Sequence, residues 1–565
     1  METKEEFIQR MFSKGILLNQ ELLDKEVLPN VLERLEVEAD VLVLNSDYAQ
    51  VINQQPTLVD WYEIDRYRVE AEKERDDEMY QHQLQQIQRT QLHTPKHSQE
   101  LSSLEVALDT SSESEILLPS EESETAQVVS DDMDNPTSET FNAISPSPNV
   151  TILVLHKNVP RKYEVKDFTG LFMSRYRYMN GLLRNRQELQ QSLPISRILP
   201  KKEREAVVFI GMISEIVLTK TGSYILHLED PTGVIKVIIS KSKKELWDQA
   251  KDLVVDEVVG VTGTWNDNIV FGDSLIWPDL PAVNELKKQT GEDYAIFLSD
   301  VHVGSTLFLK EEFEKFLLWI NGEIGNEQQR TIAANIKYVF IAGDLVDGIG
   351  VYPSQESELR INNIYQQYAE FTRLIKRIPR DKTIIICPGN HDVVHIAEPQ
   401  PALYVEYAPE LFTLPNVHLV TNPSLINIGK TENFEGFDIL LYHGFSFDYY
   451  VANVESIRTQ GGYHRADLIM KFLLRRRHLA PSFKSTPYFP GHTEDPLLIK
   501  KVPDFFVTGH IHYSHVANYK NVTMISCSCW QGKTSFQEKL GHEPEPGRVP
   551  LVNLRTRELK ILRFA

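Results

Sequence analysis

The stretch "TIIICPGNHD" (residues 383–392) runs from an apolar segment directly into three polar side chains. Its apolar half is short and rich in β-branched residues, which predicts a buried β-strand. The Pro-Gly pair then ends the strand, and glycine lets the backbone turn sharply and approach a ligand closely. The polar residues that follow are Asn390, His391 and Asp392. An amide, an imidazole and a carboxylate at the tip of a buried strand indicate a functional site.

Four other apolar runs in the same half of the chain also end in polar residues. They are "AIFLSDVHVGS" with Asp300 and His302, "YVFIAGDLVDG" with Asp344 and Asp347, "DILLYHG" with His443, and "DFFVTGHIHYSH" with His510 and His512. The carboxyl ends of strands in α/β sheets meet at one edge. We therefore expect the five strand ends to build one polar cluster.

The residue types in this cluster favour metal binding. Carboxylates, imidazoles and an amide oxygen suit divalent ions of borderline hardness such as Mn²⁺, Fe²⁺ and Zn²⁺. About seven ligands exceed what one ion with open positions needs, whereas two ions about 3.5–4 Å apart can share one carboxylate. The i, i+2 spacing within two of the motifs places each pair on one side of an extended segment. The pattern predicts a dinuclear site that activates water and clamps a phosphoryl group.

The chain of 565 residues predicts several domains. Helical periodicity indicates a small helical N-terminal domain at residues 1–70. Residues 75–147 are predicted to be a disordered acidic linker, because few aromatic residues and many Ser, Glu, Gln and Pro residues cannot form a core. Residues 148–203 are expected to be a connecting segment.

Residues 204–285 show a strand pattern of three strands, a helix and two further strands. This order is that of an OB-fold β-barrel, with another small barrel or a sandwich as the alternative. From residue 290 to 565, short apolar runs alternate with longer helical patterns, which is typical of a layered α/β domain. The overall fold class predicted is a multidomain α/β protein.

Composition excludes some classes of protein. With 41% hydrophobic and 25% charged residues, the chain has no apolar run of the roughly 18 residues that span a bilayer, and we expect no membrane contact. No secretory signal is visible and only three cysteines are present, so a cytoplasmic protein without a disulfide framework is expected. The net charge of −21 argues against nucleic acid binding, but residues 101–150 contain eleven Asp or Glu and no Lys or Arg. The charge therefore leaves this question open.

The ordered motifs D-x-H, G-D-x-x-D-G, G-N-H-D, H-G and G-H-x-H resemble those of the calcineurin-like metallophosphoesterase superfamily. Together with the upstream barrel, residues 205–565 resemble the small-subunit family of archaeal family D DNA polymerases, which is homologous to the B subunits of eukaryotic replicative polymerases. The resemblance implies a metallophosphoesterase β-sandwich flanked by helices.

The resemblance also implies roles for individual residues. One metal ion would be held by Asp300, His302 and His512, the other by Asn390, His443 and His510, and Asp344 would bridge the two. His391 matches the catalytic imidazole of the family, and Asp392 is expected to orient it. Asp347 is expected to brace the turn rather than to bind metal.

The function implied is a 3′→5′ exonuclease that proofreads for a replicative polymerase. Two divalent ions are expected, Mn²⁺ first, with Mg²⁺, Fe²⁺ and Zn²⁺ as alternatives. The implied partners are a large catalytic polymerase subunit in a heterodimer, single-stranded or mismatched DNA 3′ ends, and a sliding clamp. Nothing in the chain resembles the carboxylate set of a polymerase palm, so DNA synthesis is expected on the large subunit.

Two alternatives stay open for the function. A non-catalytic scaffold that stabilises the large subunit is possible, although every ligand position here retains a competent residue. A phosphoprotein phosphatase fits less well, because that branch resembles G-D-x-V-D-R-G with G-N-H-E, whereas Gly348 follows Asp347 here and position 392 is Asp. The basic helix predicted at residues 463–478 could follow phosphates, face solvent or contact an acidic partner through Arg475, Arg476 and Arg477.

Overall fold

The computed structural model describes residues 17–18, 43–44, 149–156, 161–202, 204–490 and 494–565. Within the predicted N-terminal domain it describes two short strands, β1 (Leu17–Leu18) and β2 (Val43–Leu44), which pair in parallel. The remainder of that helical domain and the predicted acidic linker at 75–147 lie outside the described residues. Both stay predictions.

A closed barrel of five strands follows the connecting segment. Its elements are β4 (Glu205–Leu218), β5 (Tyr224–Asp230), β6 (Gly233–Ile239), α3 (Lys244–Ala250), β7 (Val258–Asn266) and β8 (Ile269–Ile276). The spatial order is β4-β5-β6-β8-β7, and the parallel pair β6–β8 closes the barrel. Phe209, Val237 and Val261 fill its interior from three strands. The predicted order of strands and helix is confirmed, while the OB-fold assignment stays a prediction.

Two six-stranded sheets form the next part of the chain. The strands of the first sheet are β9 (Tyr294–Leu298), β10 (Ile336–Ala342), β11 (Thr383–Cys387), β12 (Val417–Leu419), β18 (Arg548–Asn553) and β19 (Leu559–Arg563). Their order in the sheet is β12-β11-β10-β9-β18-β19. Strands β9 to β12 are parallel, and β18 pairs antiparallel with both β9 and β19.

The strands of the second sheet are β3 (Val150–Val154), β13 (Ser424–Ile428), β14 (Phe437–Leu441), β15 (Phe505–Thr508), β16 (His515–Tyr519) and β17 (Val522–Ser526). Their order in the sheet is β16-β17-β15-β14-β13-β3, and β14, β15 and β17 are parallel. Strand β3 belongs to the predicted connecting segment and forms an edge of this sheet by pairing with β13.

The two sheets face each other across one apolar core. Strand β10 shows how the sequence achieves this, because Phe340 joins the core between the sheets while its neighbours Val339 and Ile341 join the core under the helices. Side chains alternate between the two faces of a strand, so a continuous apolar run is buried on both sides. The predicted α/β sandwich is observed.

Helices cover the outer faces of both sheets. Those packed on the first sheet are α4 (Lys310–Ile320), α5 (Glu327–Ala334) and α6 (Ile364–Ile375), and those on the second are α7 (Phe447–Asn453), α8 (Glu455–Thr459) and α9 (Ala466–Arg476). A further helix, α10 (Ser535–Leu540), precedes β18, and 3-10 helices span Gln187–Leu189, Gln355–Glu358, Leu411–Thr413, Gly462–His464 and Phe483–Ser485. Among the helices described, none is both long enough and apolar enough to cross a membrane.

The connecting segment contains α1 (Val165–Arg184) and α2 (Ile195–Ile198). Helix α1 contributes Leu171 to the core of the second sheet and Leu183 to a cluster with the barrel. Its Arg175 is buried and donates from Nε to Asp495 Oδ2 over 2.7 Å. This segment therefore joins barrel and sandwich.

The basic run at the end of α9 differs from the prediction. Arg476 is buried and its Nε lies 2.7 Å from Glu257 Oε2 beside the barrel. Arg477 is buried and donates from Nε to the carbonyl of Ile499 over 2.8 Å. Arg475 lies over the Trp277 ring at 4.0 Å. The expectation that Arg476 and Arg477 follow phosphates, face solvent or contact a partner was wrong, because both are satisfied inside this chain.

Candidate active site

The five polar strand ends lie at one rim of the sandwich. Strands β9, β10 and β11 bring their carboxyl ends there from the first sheet, and the parallel pair β14 and β15 does so from the second. The five strand ends thus converge as expected, but they come from two facing sheets. The side chains from one sheet meet those from the other across the rim.

One group of ligand atoms comes from Asp300, His302 and His512, all of which are buried. The Nε2 atoms of the two imidazoles lie 3.0 Å apart. Asp300 Oδ1 lies 3.3 Å from Nε2 of His512 and 3.9 Å from Nε2 of His302. Two imidazole nitrogens and a carboxylate oxygen that converge in a buried place match the donor types preferred by divalent metals.

A second group lies beside the first. Asn390 Oδ1 lies 3.0 Å from His443 Nε2 and 3.0 Å from His510 Nδ1. Asp344 Oδ2 lies 3.3 Å from His443 Nε2 and 3.9 Å from His302 Nε2. The Asp344 carboxylate is therefore within reach of both groups.

The backbone at this rim adopts an uncommon conformation. The residues Asp300, His302, Asp344, His510 and His512 all have φ between 51° and 72°. Residues other than glycine rarely adopt this left-handed conformation, and such strain concentrates at functional sites. Five ligand candidates held in it by a buried scaffold indicate that the fold fixes where these side chains point.

Two glycines make room for the cluster. A Cβ on Gly389 would lie 2.2 Å from Asp344 Oδ1, and a Cβ on Gly343 would lie 2.5 Å from His443 Nδ1. Any larger residue at either position would displace a candidate ligand. The glycines of the G-D and G-N motifs thus allow close approach, as expected.

Electrostatics couples the carboxylates to the imidazoles. Burial would raise the pKa of Asp344, but the facing His443 and His391 imidazoles hold it well below its usual value. Burial would lower the pKa of His443, yet the Asp344 carboxylate outweighs it and raises that pKa to about 10. The rim therefore concentrates negative charge that attracts a proton or a metal cation.

A cavity of about 260 Å³ opens over the cluster. Its polar floor includes His302, Asp344, Asn390 and His391. Its apolar wall includes Val351, Tyr352, Phe445 and Phe536. Sites for small molecules or substrates usually combine apolar and aromatic lining with a few polar groups, as this cavity does.

Comparison with known proteins identifies the family. Residues 295–514 match the calcineurin-like phosphoesterase family. The DNA polymerase II small subunit of Methanothermobacter thermautotrophicus is 39% identical over 403 residues, which cover 71% of this chain and 80% of that protein. The chain belongs to the DNA polymerase II small subunit family.

Two further members of this family give the same result. The DNA polymerase II small subunit of Archaeoglobus fulgidus is 38% identical over 385 residues, covering 68% of this chain and 74% of that protein. The one from Methanocaldococcus jannaschii is 37% identical over 393 residues, covering 69% of this chain and 64% of that protein. The likeness to these small subunits extends well beyond the phosphoesterase region.

His391 lines the cavity. Its backbone N donates to Asp344 Oδ1 over 2.8 Å, and its Nδ1 lies 2.7 Å from the carbonyl oxygen of Asp347. A carbonyl only accepts, so Nδ1 carries the hydrogen and Nε2 remains for a substrate. Burial lowers the pKa of His391 below its usual value.

Asp392 plays a different part from the one expected. Its Oδ2 accepts from the backbone N–H groups of Gly389 and Leu345 at 2.9 and 3.3 Å, and its Oδ1 accepts from the Tyr368 hydroxyl at 3.0 Å. Among the hydrogen bonds described, the one that orients the His391 ring goes to the Asp347 carbonyl and not to Asp392. The role predicted for Asp392 is corrected: its carboxylate organises the turn that carries Asn390 and His391.

Partners around the imidazoles fix their orientation. His443 Nδ1 lies 2.7 Å from the carbonyl oxygen of Ala342, and His302 Nδ1 lies 3.2 Å from Asp347 Oδ1. Asp347 also accepts from the side chains of Gln355 and Gln531, in agreement with a bracing role. Such outer partners orient metal-binding histidines.

Sequence reasoning missed two residues of this outer layer. Asp448 Oδ2 lies 3.0 Å from His510 Nε2, and the Gln537 side-chain amide lies 2.9 Å from His512 Nδ1. Each sits on a short helix rather than at a strand end. No motif in the sequence marks either residue, so the pattern of strand ends could not find them.

Proposed function

We propose that this chain is the small subunit of a two-subunit archaeal replicative DNA polymerase and carries a metal-dependent 3′→5′ exonuclease. The activity would remove misincorporated nucleotides by hydrolysing terminal phosphodiesters of DNA. The observation that carries this proposal is the pair of ligand groups that share Asp344 on the floor of a cavity lined by His391.

The residues present fit two divalent metal ions. The Nε2 atoms of His302 and His512 lie 3.0 Å apart, and the Asp300 carboxylate lies beside them. A single cation placed there could bind all three side chains. The first ion would be held by Asp300, His302 and His512, the second by Asn390, His443 and His510, and both by Asp344. When bound, such a pair activates water and neutralises charge on a phosphoryl group. Mn²⁺ is the ion we propose. Fe²⁺ and Zn²⁺ also suit this imidazole-rich donor set, and Mg²⁺, which prefers oxygen ligands, is the remaining alternative.

His391 would act on the substrate itself. The hydrogen bond from Nδ1 to Asp347 fixes the ring and leaves Nε2 for the scissile phosphate. A histidine in this position can contact a phosphate oxygen and, as the imidazolium, protonate the departing 3′ oxygen. Asp392 supports this indirectly by holding the turn.

The five-stranded barrel would serve as a platform beside the nuclease. If it is an OB-fold, as its strand order predicts, its surface suits single-stranded DNA or a partner protein. The partners we propose are the large catalytic subunit, unpaired or mismatched 3′ ends, and a sliding clamp. DNA synthesis itself would reside on the large subunit.

Replacing His391 by alanine tests the function. We expect the release of 3′ nucleotides with Mn²⁺ to fall by about 10²- to 10⁴-fold, because a positioned proton donor contributes that much to catalysis. The assay follows 5′-labelled and 3′-labelled oligonucleotides with the chain alone and with its large subunit. Gel filtration should show that the variant still binds the large subunit.

The matched control is His395→Ala. His395 lies on the same loop but outside the cavity, and its ring stacks on Phe489 with 5.1 Å between the ring centroids. This variant should keep wild-type activity. Full activity in the His391 variant would remove the role given to this residue. The competing hypothesis is that the subunit is purely structural. It predicts that the oligonucleotides stay intact with Mn²⁺, with Mg²⁺ and with chelator.

A further inference from the structure

The apolar wall of the cavity contains a stacked pair of aromatic rings. The rings of Tyr352 and Phe536 lie 5.4 Å apart between centroids with an angle of 21° between their planes. Tyr352 is also the neighbour of His391, at 6.2 Å between ring centroids. Phe536 is 39% exposed, which is high for a phenylalanine. The Phe536 ring is therefore partly exposed in the same cavity as the candidate catalytic histidine.

This pair is held in place by specific contacts. The Glu358 carboxylate accepts from the Tyr352 hydroxyl at 2.9 Å and from the backbone N–H of Ser535 at 3.2 Å. One acidic side chain thus joins two segments that are far apart in the sequence. Side chains fixed in this way lose little additional freedom when a ligand binds.

The helix that carries Phe536 is tied to the ligand cluster. Gln537, the next residue, accepts from the N–H of Thr534 at 3.1 Å and places its side-chain amide 2.9 Å from His512 Nδ1. The helix that carries the aromatic wall is therefore linked to the polar floor by a direct side-chain contact.

We infer that the Tyr352–Phe536 stack binds the base of the 3′-terminal nucleotide, a role that rests on the proposed nuclease function. A nucleotide offers both chemistries that the cavity presents, a phosphate for the polar floor and a flat π-surface for the exposed ring. Stacking on an aromatic face accepts every base, because each has a π-face. An exonuclease that removes any misincorporated nucleotide needs this tolerance. The terminal base would extend the existing two-ring stack by a third ring.

The test compares an oligonucleotide with a normal 3′-terminal nucleotide and the same oligonucleotide ending in an abasic tetrahydrofuran residue. Phe536→Ala should raise KM for the normal end by about 5- to 150-fold, because stacking contributes roughly 1–3 kcal/mol per base. KM for the abasic end should stay at the wild-type value. Phe536→Trp, which keeps a stacking surface, should restore tight binding of the normal end.

A matched control comes from a second stacked pair outside the cavity. The rings of Tyr365 and Tyr407 lie 5.3 Å apart at 19°, and Tyr365 is 53% exposed. Tyr365→Ala should change neither KM. If Phe536→Ala weakens both substrates equally, or neither, the base-binding role is wrong.

Binding without turnover separates this inference from the proposed activity. In the His391→Ala background, an oligonucleotide ending in 2-aminopurine should lose fluorescence on binding, since stacking quenches that base, and Phe536→Ala should abolish the loss. A wild-type chain that digests no substrate would overturn the nuclease function. Quenching that persists in the Phe536 variant would overturn the base site alone.

Discussion

Replacing Asp344 by alanine is expected to abolish the second Mn²⁺ binding event and to weaken the first by more than about 100-fold. The reason is that Asp344 Oδ2 lies within 3.9 Å of an imidazole nitrogen from each ligand group. Losing an outer partner of a ligand already costs about 10- to 100-fold in affinity, so losing a shared ligand should cost more. Isothermal titration with Mn²⁺ measures both stoichiometry and affinity. Nuclease activity should fall below detection in the same variant.

Two further substitutions serve as controls for the loss of Mn²⁺ binding in the Asp344 variant. Asp347→Asn weakens the contact to His302 Nδ1 without touching the predicted ligand set, so a loss of about 10- to 100-fold with unchanged stoichiometry is expected. Asp381→Ala removes a carboxylate that is 61% exposed and should change nothing. Two Mn²⁺ ions bound with wild-type affinity by the Asp344 variant would contradict the bridging role.

Replacing Asp495 by alanine is expected to lower the free energy of unfolding by about 3–5 kcal/mol, the usual cost of leaving a buried charge without its partner. Arg175 is 1% exposed, and its guanidinium donates to Asp495, to the carbonyl of Pro481 and to the Tyr488 hydroxyl. His478 Nε2 also lies 2.9 Å from Asp495 Oδ2. The substitution therefore leaves two buried nitrogen groups without an acceptor. Urea unfolding of the full chain measures the effect.

An exposed ion pair provides the comparison. Arg373 and Glu370 are neighbours on α6 at 2.6 Å, with 49% and 25% of their side chains exposed. Glu370→Ala should cost less than about 1 kcal/mol, because water screens such pairs. The double variant Arg175→Met with Asp495→Leu should recover part of the loss, since it removes the unpaired charge. A loss below about 1 kcal/mol for Asp495→Ala would contradict the account of this pair.

Much of the sandwich could be predicted because its signals are local. An apolar run such as Thr383–Cys387, followed at once by polar residues, marks both a buried strand and its functional end. The candidate ligands follow directly from these ends. The order of strands and helix along the barrel segment was predictable for the same reason, since period-2 alternation and turn residues are properties of neighbouring positions.

Other features depend on partners that lie far away in the sequence. The run Arg475–Arg477 reads as a basic surface, but Glu257, which pairs with Arg476, lies 219 positions away. Asp392 adjoins His391 in the chain, and adjacency suggested a contact. The tight turn instead directs its carboxylate to backbone N–H groups. That the rim is shared by two sheets was also hidden, because strand pairing is a tertiary property.

Two buried arginines restrict movement between the barrel and the sandwich. Arg175 and Arg476 fasten helix α1 and the barrel to the sandwich through contacts that exclude water. Breaking either would leave a charge stranded in the protein interior, so a hinge between these parts is costly. Movement of the barrel relative to the ligand cluster is therefore disfavoured, and under the proposed function a DNA end would have to reach the cluster by its own fraying rather than by domain closure.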